Sequence, residues 1–404
     1  TLRLALILQA DTDNPTASAY LSSYKLDLFS NFTYFADDPV NGDQLEQVDD
    51  RVITGGALEY RWRFDDRWST AIGSDLRFDD IRQADLYRTT QRQRLVTIRQ
   101  DRIHWLSAGA WGQVIFQPTP SLRAKAGLRF DGSDFDVNAR NKVNSGSGHD
   151  TLLLPKFALA YAANEWIELY YSIGRGFHSN DVRGVVASVD PVSLEPVTGV
   201  PLYAEQRGQE LGVRFEDWRG LFVTMAVFEL LSDSELTFVG DSGATEPAPG
   251  SKRYGLEFAL LGSLGKHWLF DLNGAFVRSR HTLVPAAERR VPNAQDRVAS
   301  AGIEYKNDAR EISVGARCRH FGDTPLREDN SVRGKSATLC NLLTTYSIDQ
   351  WQVSAQLINL FNREASDIAY WYGSRTSSDT SVVDDVHFHP VVPRTLRIGF
   401  RYAF

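Results

Sequence analysis

The residues best suited to bind a metal ion lie in one short segment near the C-terminus. Asp384, Asp385, His387 and His389 combine carboxylate oxygens with imidazole nitrogens, which are common ligands of transition metals. Two histidines separated by one residue point to the same side of an extended chain. The pattern suggests a metal site but fixes no third ligand, so histidines that are solvated or that touch a bound ligand are the alternative.

Aromatic and cationic residues offer two further candidate binding sites. Tyr370, Trp371 and Tyr372 form a run that could stack on an aromatic ligand or a sugar, or could serve as an interface anchor. A second group suits an anionic ligand and consists of Arg175, His178, Asn180 and Arg183. Pairing with neighbouring carboxylates is the alternative role for these cations.

A carboxylate-rich segment lies between residues 36 and 50. Its acidic residues are Asp37, Asp38, Asp43, Glu46, Asp49 and Asp50. Such a density of hard oxygen ligands could bind calcium, and a solvated acidic loop is the more ordinary interpretation.

Other reactive side chains are few. Cys318 and Cys340 lie symmetrically about the centre of one predicted hairpin, so a cross-strand disulfide and two buried thiols are both open. A Ser–His hydrolase would require His104 with Ser107 or His320 with Ser336, and neither pair has a motif around it. We therefore expect no enzyme activity and no cofactor.

Composition excludes two classes of protein. The net charge is -7, whereas nucleic-acid binding requires a basic surface. No apolar run approaches the roughly 20 residues of a transmembrane helix. The overall hydropathy still allows a membrane β-barrel, because a barrel strand faces lipid with only every second residue.

Alternation with a period of two recurs along the whole chain. In the last strand, Thr395 to Phe404, one face is apolar; the other begins at Thr395 and includes two arginines. The apolar face consists of Leu396, Ile398, Phe400, Tyr402 and Phe404. A soluble β-sandwich would also alternate, but it seldom places so many arginines between large aromatic residues. The pattern favours a transmembrane, antiparallel, up-and-down β-barrel of all-β class.

The connections between the strands have two lengths that alternate. Short turns such as Asp65-Asp66 and Asn164-Glu165 are followed by long polar loops, as in outer-membrane barrels with short periplasmic turns. Six tryptophans lie beside short turns and predict an aromatic girdle at the membrane interface: Trp62, Trp68, Trp166, Trp218, Trp268 and Trp351. We count about 17 strands in residues 1–404; because bacterial barrels have an even number, at least one strand is expected to be missing.

Several segments resemble TonB-dependent receptors of the outer membrane in the order that this family shows. They are Ala126 to Asp131 (AGLRFD), Leu154 to Gly184 with its GRGF, Gln209 to Gly212 (QELG), Arg253 to Phe258 (RYGLEF) and Leu357 to Asn362 (LINLFN). The resemblance implies a 22-stranded barrel of which this chain is the C-terminal part, with the N-terminal plug and first strands absent. It also implies that Phe400, Tyr402 and Phe404 form the signal read by the barrel-assembly machinery.

The resemblance carries a function with it. It implies a Gram-negative outer-membrane receptor that contacts the lipid bilayer and lipopolysaccharide. Such a receptor takes up a small-molecule ligand with energy from TonB-ExbB-ExbD, contacted through the plug. A ferric siderophore is the commonest cargo, with cobalamin, carbohydrate and other metal complexes as rivals. A passive porin of 16 to 18 strands is the alternative class.

Overall fold

The computed structural model describes residues 2–11, 14–218, 220–239, 244–307 and 311–403. Strands account for 71% of the described residues and helix for 3%, which confirms the all-β prediction. None of the helices in the described part is long or apolar enough to cross a membrane.

The described residues form 24 strands and three short helical segments. The strands are β1 (Leu2–Asp11), β2 (Thr16–Ser30), β3 (Leu45–Arg63), β4 (Trp68–Thr90), β5 (Gln93–Arg99), β6 (Asp101–Thr119), β7 (Leu122–Ala139), β8 (Gly146–Ala162), β9 (Ile167–Ser179), β10 (Tyr203–Trp218), β11 (Leu221–Ser232), β12 (Glu235–Val239), β13 (Ala244–Ala248), β14 (Ser251–Leu264), β15 (Trp268–His281), β16 (Arg297–Asn307), β17 (Ile312–Phe321), β18 (Thr324–Pro325), β19 (Arg333–Gly334), β20 (Ala337–Ile348), β21 (Trp351–Ile358), β22 (Ser366–Ser374), β23 (Val383–Pro390) and β24 (Thr395–Tyr402). The helix α1 spans Val182–Val185, and 3-10 turns span Lys142–Asn144 and Ala286–Glu288.

One antiparallel sheet of 18 strands forms the wall, and β12–β13, β18–β19 and β22–β23 are separate hairpins. Only Gln100 separates β5 from β6, and both pair with β4. Counted as one, they leave 17 wall strands, which agrees with the number predicted from sequence.

Hydrogen bonds join two loops that lie near opposite ends of the sheet order. Among the described residues no pairing joins β1 to β24. Even so, the loop after β2 touches the segment after β22: the Phe35 N–H donates to the Arg375 carbonyl at 2.9 Å, and the Arg375 N–H donates to the Thr33 carbonyl at 3.1 Å. The contact joins the loop after β2 to the separate hairpin that precedes β24.

The two faces of the wall differ as the alternation predicts. On the outer face Leu396 and Phe400 stand opposite Leu357 and Val353, and Phe400 is 71% exposed although it is apolar. On the inner face arginines pair with carboxylates. Arg317 binds Asp271 through two bonds of 2.6 and 3.0 Å, and Arg129 bridges Asp75 at 2.7 Å and Asp131 at 2.6 Å. An apolar exterior around a polar lumen is the pattern of a membrane barrel.

Aromatic residues gather at the end that carries the short turns. Trp68 stacks on Phe116 with ring centroids 4.1 Å apart, and Trp351 packs against Tyr402 at 4.8 Å. Exposed indole rings beside short turns are Trp62, Trp68, Trp166, Trp268 and Trp351. The side chain of Trp218 and the whole of Phe404 lie outside the described residues.

Cys318 and Cys340 form a disulfide bond. They stand directly opposite each other on β17 and β20. Their side chains lie on the same face of the sheet as those of Ala316 and Leu342. Of the two states left open by the sequence, the disulfide is the one present.

Candidate functional site

The long connection between β9 and β10 begins with a capped turn of helix. The Asp181 carboxylate accepts the Arg183 N–H at 2.9 Å and so caps the first turn of α1. The same carboxylate pairs with the Arg183 guanidinium, with Nη2 to Oδ2 at 2.6 Å. Glycine is required farther along, because a Cβ on Gly199 would lie 2.3 Å from the Val185 carbonyl oxygen.

This loop, residues 180–202, packs into a small apolar core on the inner wall. Val182, which is 1% exposed, and Leu202 contact a cluster that includes Ile103, Phe135 and Val137. Phe135 and Val137 continue the face of β7 that carries Asp131 and Arg129, which is the lumen face. The loop therefore folds inward, and burying each large aliphatic side chain contributes about 1.5–3 kcal/mol.

Two asparagine side chains form hydrogen bonds with the backbone of the same loop. Buried Asn144 accepts the N–H groups of Ser188 and Val189 at 2.9 and 3.0 Å and donates to the Val189 carbonyl at 2.8 Å. Asn180 is 1% exposed and donates its side-chain amide to the Pro201 carbonyl. The role of Asn144 was not predicted, because its partners are 44 and 45 residues away.

Two ion pairs lie at the base of the loop and perturb each other. Arg99 and Asp101 are both buried and bonded to each other, and burial lowers the pKa of Arg99 and raises the pKa of Asp101. Burial alone would also raise the pKa of Asp181. The nearby Arg183 guanidinium and N–H outweigh this effect and leave the pKa of Asp181 below its usual range. Asp181 thus stays ionised and holds Arg183.

The four residues proposed to bind an anion are divided among different environments. Arg175 pairs with Glu205 at 3.3 Å and shares the outer face with Ile173, whereas His178 lies on the opposite face and contacts the Gln206 amide at 3.4 Å. Asn180 and Arg183 belong to the folded loop. The structure brings only the last two together.

The β22–β23 hairpin gathers the other proposed residues more closely. Tyr370 stands opposite His387, and Ile368 opposite His389, so both histidines share a face. His387 stacks on the Tyr372 ring with centroids 3.9 Å apart and an interplanar angle of 10°, and His389 Nδ1 lies 2.9 Å from Asp367. Trp371 lies on the other face. The hairpin therefore presents an aromatic and imidazole surface, the hairpin face, formed by Tyr370, Tyr372, His387 and His389.

The register separates the four residues suggested as metal ligands. Asp385 stands opposite Tyr372 on the hairpin face, while Asp384 stands opposite Gly373 on the other side. Within the described ranges, no group of three or more His, Cys, Asp or Glu side chains is arranged to hold a metal ion.

The acidic residues between 36 and 50 form hydrogen bonds and ion pairs with other groups of the protein and do not form an open cluster. Buried Asp43 accepts the Thr33 hydroxyl at 2.8 Å and the Asp38 N–H at 2.8 Å. Glu46 binds Arg94 through bonds of 2.6 and 2.7 Å. Asp38 caps the following turn, Asp37 lies 3.7 Å from Arg88, and Asp49 and Asp50 pair with Arg51 and Lys25.

Neither Ser–His pair is assembled. His104 and Ser107 point to opposite faces of β6 because they are three residues apart in an extended strand, and His104 lies 3.3 Å from Asp80. His320 Nδ1 contacts the Thr338 hydroxyl at 2.9 Å and not Ser336.

Comparisons with known proteins show which family and which solved structures share this architecture. The family model described as TonB dependent receptor-like, beta-barrel matches residues 2–360. Among solved structures, the ferric yersiniabactin uptake receptor FyuA from Yersinia pestis is 16% identical with a TM-score of 0.73, and the match covers 100% of this chain and 61% of that one. The siderophore receptor PiuA from Acinetobacter baumannii is 13% identical with a TM-score of 0.72, covering 99% and 64%. The copper transporter OprC is 14% identical with a TM-score of 0.73, covering 100% and 65%.

Proposed function

The chain belongs to the TonB-dependent receptor β-barrel family, and from that premise we propose that it takes up a ferric siderophore by TonB-dependent transport. The single observation that carries the proposal is the family match across most of the chain. Two of the structures of the same fold are described as a ferric yersiniabactin uptake receptor and a siderophore receptor. The chain spans less than two thirds of the length of these structures.

We place ligand contact on the hairpin face. Stacked aromatic and imidazole rings offer flat apolar surface with polar edges, which suits an aromatic metal chelate. Tyr370 is among the exposed aromatic residues of the described chain. Because another structure of this fold is described as a copper transporter, other metal complexes are the rival cargo, beside cobalamin and carbohydrate.

The remaining partners belong to the same proposal. The whole chain acts as one barrel unit in the outer membrane of a Gram-negative bacterium, in contact with the lipid bilayer and lipopolysaccharide. TonB-ExbB-ExbD supplies energy through a plug domain, and the barrel-assembly machinery reads Phe400, Tyr402 and Phe404. The passive porin is not favoured, because the family model describes receptors.

Cells that lack the complete gene test the function. They are grown on ferric catecholate, hydroxamate and carboxylate complexes and, separately, on cobalamin, copper and sugars as limiting nutrients. We expect a selective loss of growth on one class of ferric complex that the restored gene corrects. Unchanged growth on all ferric complexes, with a defect on another nutrient, would replace the siderophore by that nutrient.

A further inference from the structure

Two lysines on the lumen face of the wall have no counter-ion in the described part of the protein. Lys125 shares a face of β7 with Arg129, and Lys156 stands opposite Gly127 on the neighbouring strand β8. Diagonal neighbours on adjacent strands have Cα atoms about 7–8 Å apart, so both ammonium groups reach the same space. Both residues are exposed. Neither lysine forms an ion pair or a hydrogen bond with another described residue.

Two neutral polar side chains lie beside the lysines on the same face. Gln113 stands opposite Gly127 on the other neighbouring strand. Ser172 stands opposite Ala158, which is also the partner of Lys125. Within the described ranges, neither the Gln113 amide nor the Ser172 hydroxyl has a hydrogen-bond partner, so both groups are free to donate. We call these four residues the lumen shelf: Gln113, Lys125, Lys156 and Ser172.

A cavity of about 530 Å³ opens over the lumen shelf. Trp111 closes one side, and its indole lies over Gly73, where a Cβ would stand 2.4 Å from the ring. On the other side Gly174 leaves room for the Lys156 stem, because a Cβ there would lie 2.9 Å from the Lys156 Cγ. Sites for small ligands measure about 300–1,000 Å³ and contain a few convergent polar groups. The cavity therefore has the size and the lining of a ligand site.

The arginines beside the lumen shelf are neutralised, unlike its lysines. Arg129 already holds two carboxylates at 2.7 and 2.6 Å. Arg123 and Arg214 share Glu168 at 3.1 and 2.8 Å. The carboxylates nearest the shelf are thus bonded to arginines, and the ammonium groups attract an anion from outside the described residues.

The lumen shelf lies towards the end of the wall that carries the short turns. Lys125 is three residues after the start of β7 at Leu122, and Lys156 is six residues before the end of β8 at Ala162. These separations are about 10 and 20 Å of strand. Short turns mark the periplasmic end of an outer-membrane barrel, whereas the β22–β23 hairpin lies at the other end. A ligand that enters past the hairpin face therefore meets the shelf late in its passage.

We propose that the lumen shelf binds a ligand with two or more carboxylate groups as that ligand leaves the barrel. The two ammonium groups pair with carboxylate oxygens, and Gln113 and Ser172 donate further hydrogen bonds. The inference rests on the proposed function, in which a metal complex crosses the barrel. It adds a second contact site and narrows the cargo to complexes that carry free carboxylates.

The first test measures binding to the full-length receptor purified in detergent. The shelf variant carries Lys125→Gln and Lys156→Gln. The control variant carries Arg319→Gln and Arg397→Gln, which removes the same charge from lumen positions outside the cavity. Each protein is titrated with tricarballylate, a metal-free tricarboxylate, and with its neutral trimethyl ester. Heat-dependent gel migration checks that each barrel is folded, and the single variants replace the shelf variant if it does not fold.

We expect the wild type and the control variant to bind tricarballylate with equal affinity and not to bind the ester. The shelf variant should bind at least about tenfold more weakly, because one hydrogen bond to a charged group contributes about tenfold or more. An absence of binding by the wild type overturns the proposal. Equal affinity in the shelf variant, or an equal loss in the control variant, overturns it as well.

A carboxylate of the proposed plug is the rival occupant of the lumen shelf. Cells that produce each protein are therefore exposed to vancomycin, which an intact outer membrane excludes. With a passing ligand as the occupant, all three strains should be equally resistant. Vancomycin sensitivity in the shelf variant alone would assign the two lysines to the plug and overturn the proposal.

Uptake separates this inference from the proposed function. The initial rate of uptake and the surface capture by de-energised cells are measured for the ferric complexes of the growth test. We expect the shelf variant to capture normally and to take up about tenfold more slowly. Uptake confined to complexes without free carboxylates would overturn the proposal. Lysine-dependent tricarballylate binding in a receptor that takes up no ferric complex would contradict the proposed cargo while leaving the anion site intact.

Discussion

Two loop regions that both carry candidate ligand-binding residues differ in how they use their polar residues. In the loop of residues 180–202, the cation and the amide are bonded within the protein: Arg183 to Asp181 and Asn180 to the Pro201 carbonyl. In the β22–β23 hairpin, Tyr370 remains exposed and His387 stacks on Tyr372. The first region has an apolar core beneath it, whereas the second is a two-stranded hairpin of its own.

The difference indicates separate roles. A side chain that already satisfies a buried partner can bind a ligand only by leaving that partner uncompensated, which costs several kcal/mol. A side chain on an exposed hairpin has no such cost. We therefore interpret the loop as a fixed part of the inner wall and the hairpin as the surface that meets the ligand.

The largest effect should come from a charge placed in the loop core. Val182→Asp puts a carboxylate where the native side chain is 1% exposed, and we expect the docked loop to lose about 4 kcal/mol or more. Hydrogen exchange of residues 180–202 measures the release. Val192→Asp in the same loop is the control, because Val192 is 45% exposed. Unchanged protection in Val182→Asp would show that the loop is not held by this core.

The second-largest effect is expected from loss of the ion pair between Arg183 and Asp181. Arg183→Gln leaves the Asp181 carboxylate without its guanidinium, and we expect about 2–3 kcal/mol less protection of the loop. Arg175→Gln removes the same charge from an exposed pair on the outer face and should change protection by less than about 1 kcal/mol. Equal effects of the two substitutions would contradict the distinction between an ion pair that holds the loop and an exposed ion pair on the outer face.

The hairpin should respond in binding and not in stability. His387→Ala removes the ring stacked on Tyr372, and we expect affinity for the transported ferric complex to fall about tenfold, or about 1.4 kcal/mol. Asp384→Asn on the opposite face should leave the affinity unchanged. Both are measured by titration of the purified receptor, with the thermal midpoint of the barrel as a check. A loss of affinity in Arg183→Gln as large as that in His387→Ala would count against separate roles.

The smallest effect is expected from pH. The lowered pKa of Asp181 means that its stabilising contribution is complete above the ordinary carboxyl range near 4 and is lost only as the pH falls through the still lower pKa of the folded state. The loop should therefore stay docked from pH 8 to pH 5. A spin label at Val192→Cys reports its mobility, and release between pH 7 and 5 would contradict the assignment to Asp181.

The strands of the barrel wall could be predicted because apolar and polar residues alternate along them. Residues such as Leu396 and Phe400 repeat every second position, and a period of two admits only a strand with two different faces. The spacing of short turns then gave the number of strands. Cys318 and Cys340 could be placed opposite each other for the same reason, since hairpin register follows from the position of the turn.

The candidate site was less predictable because its contacts join distant segments. Asn144 and Val189 are 45 residues apart, and nothing local in either segment indicates their bond. Asp181 could have been recognised as a helix cap before Val182 and Arg183. The burial of Val182 beside it, however, depends on Ile103 and Phe135 on other strands.

The sequence by itself determined the two-faced strands, their number and the family, because these depend on periodicity and local motifs. Only the tertiary structure decided which polar residues are available to a ligand. Whether Arg183 or His387 meets a ligand depends on what the rest of the chain places around it, and that burial is a property of packing between strands and not of spacing along them.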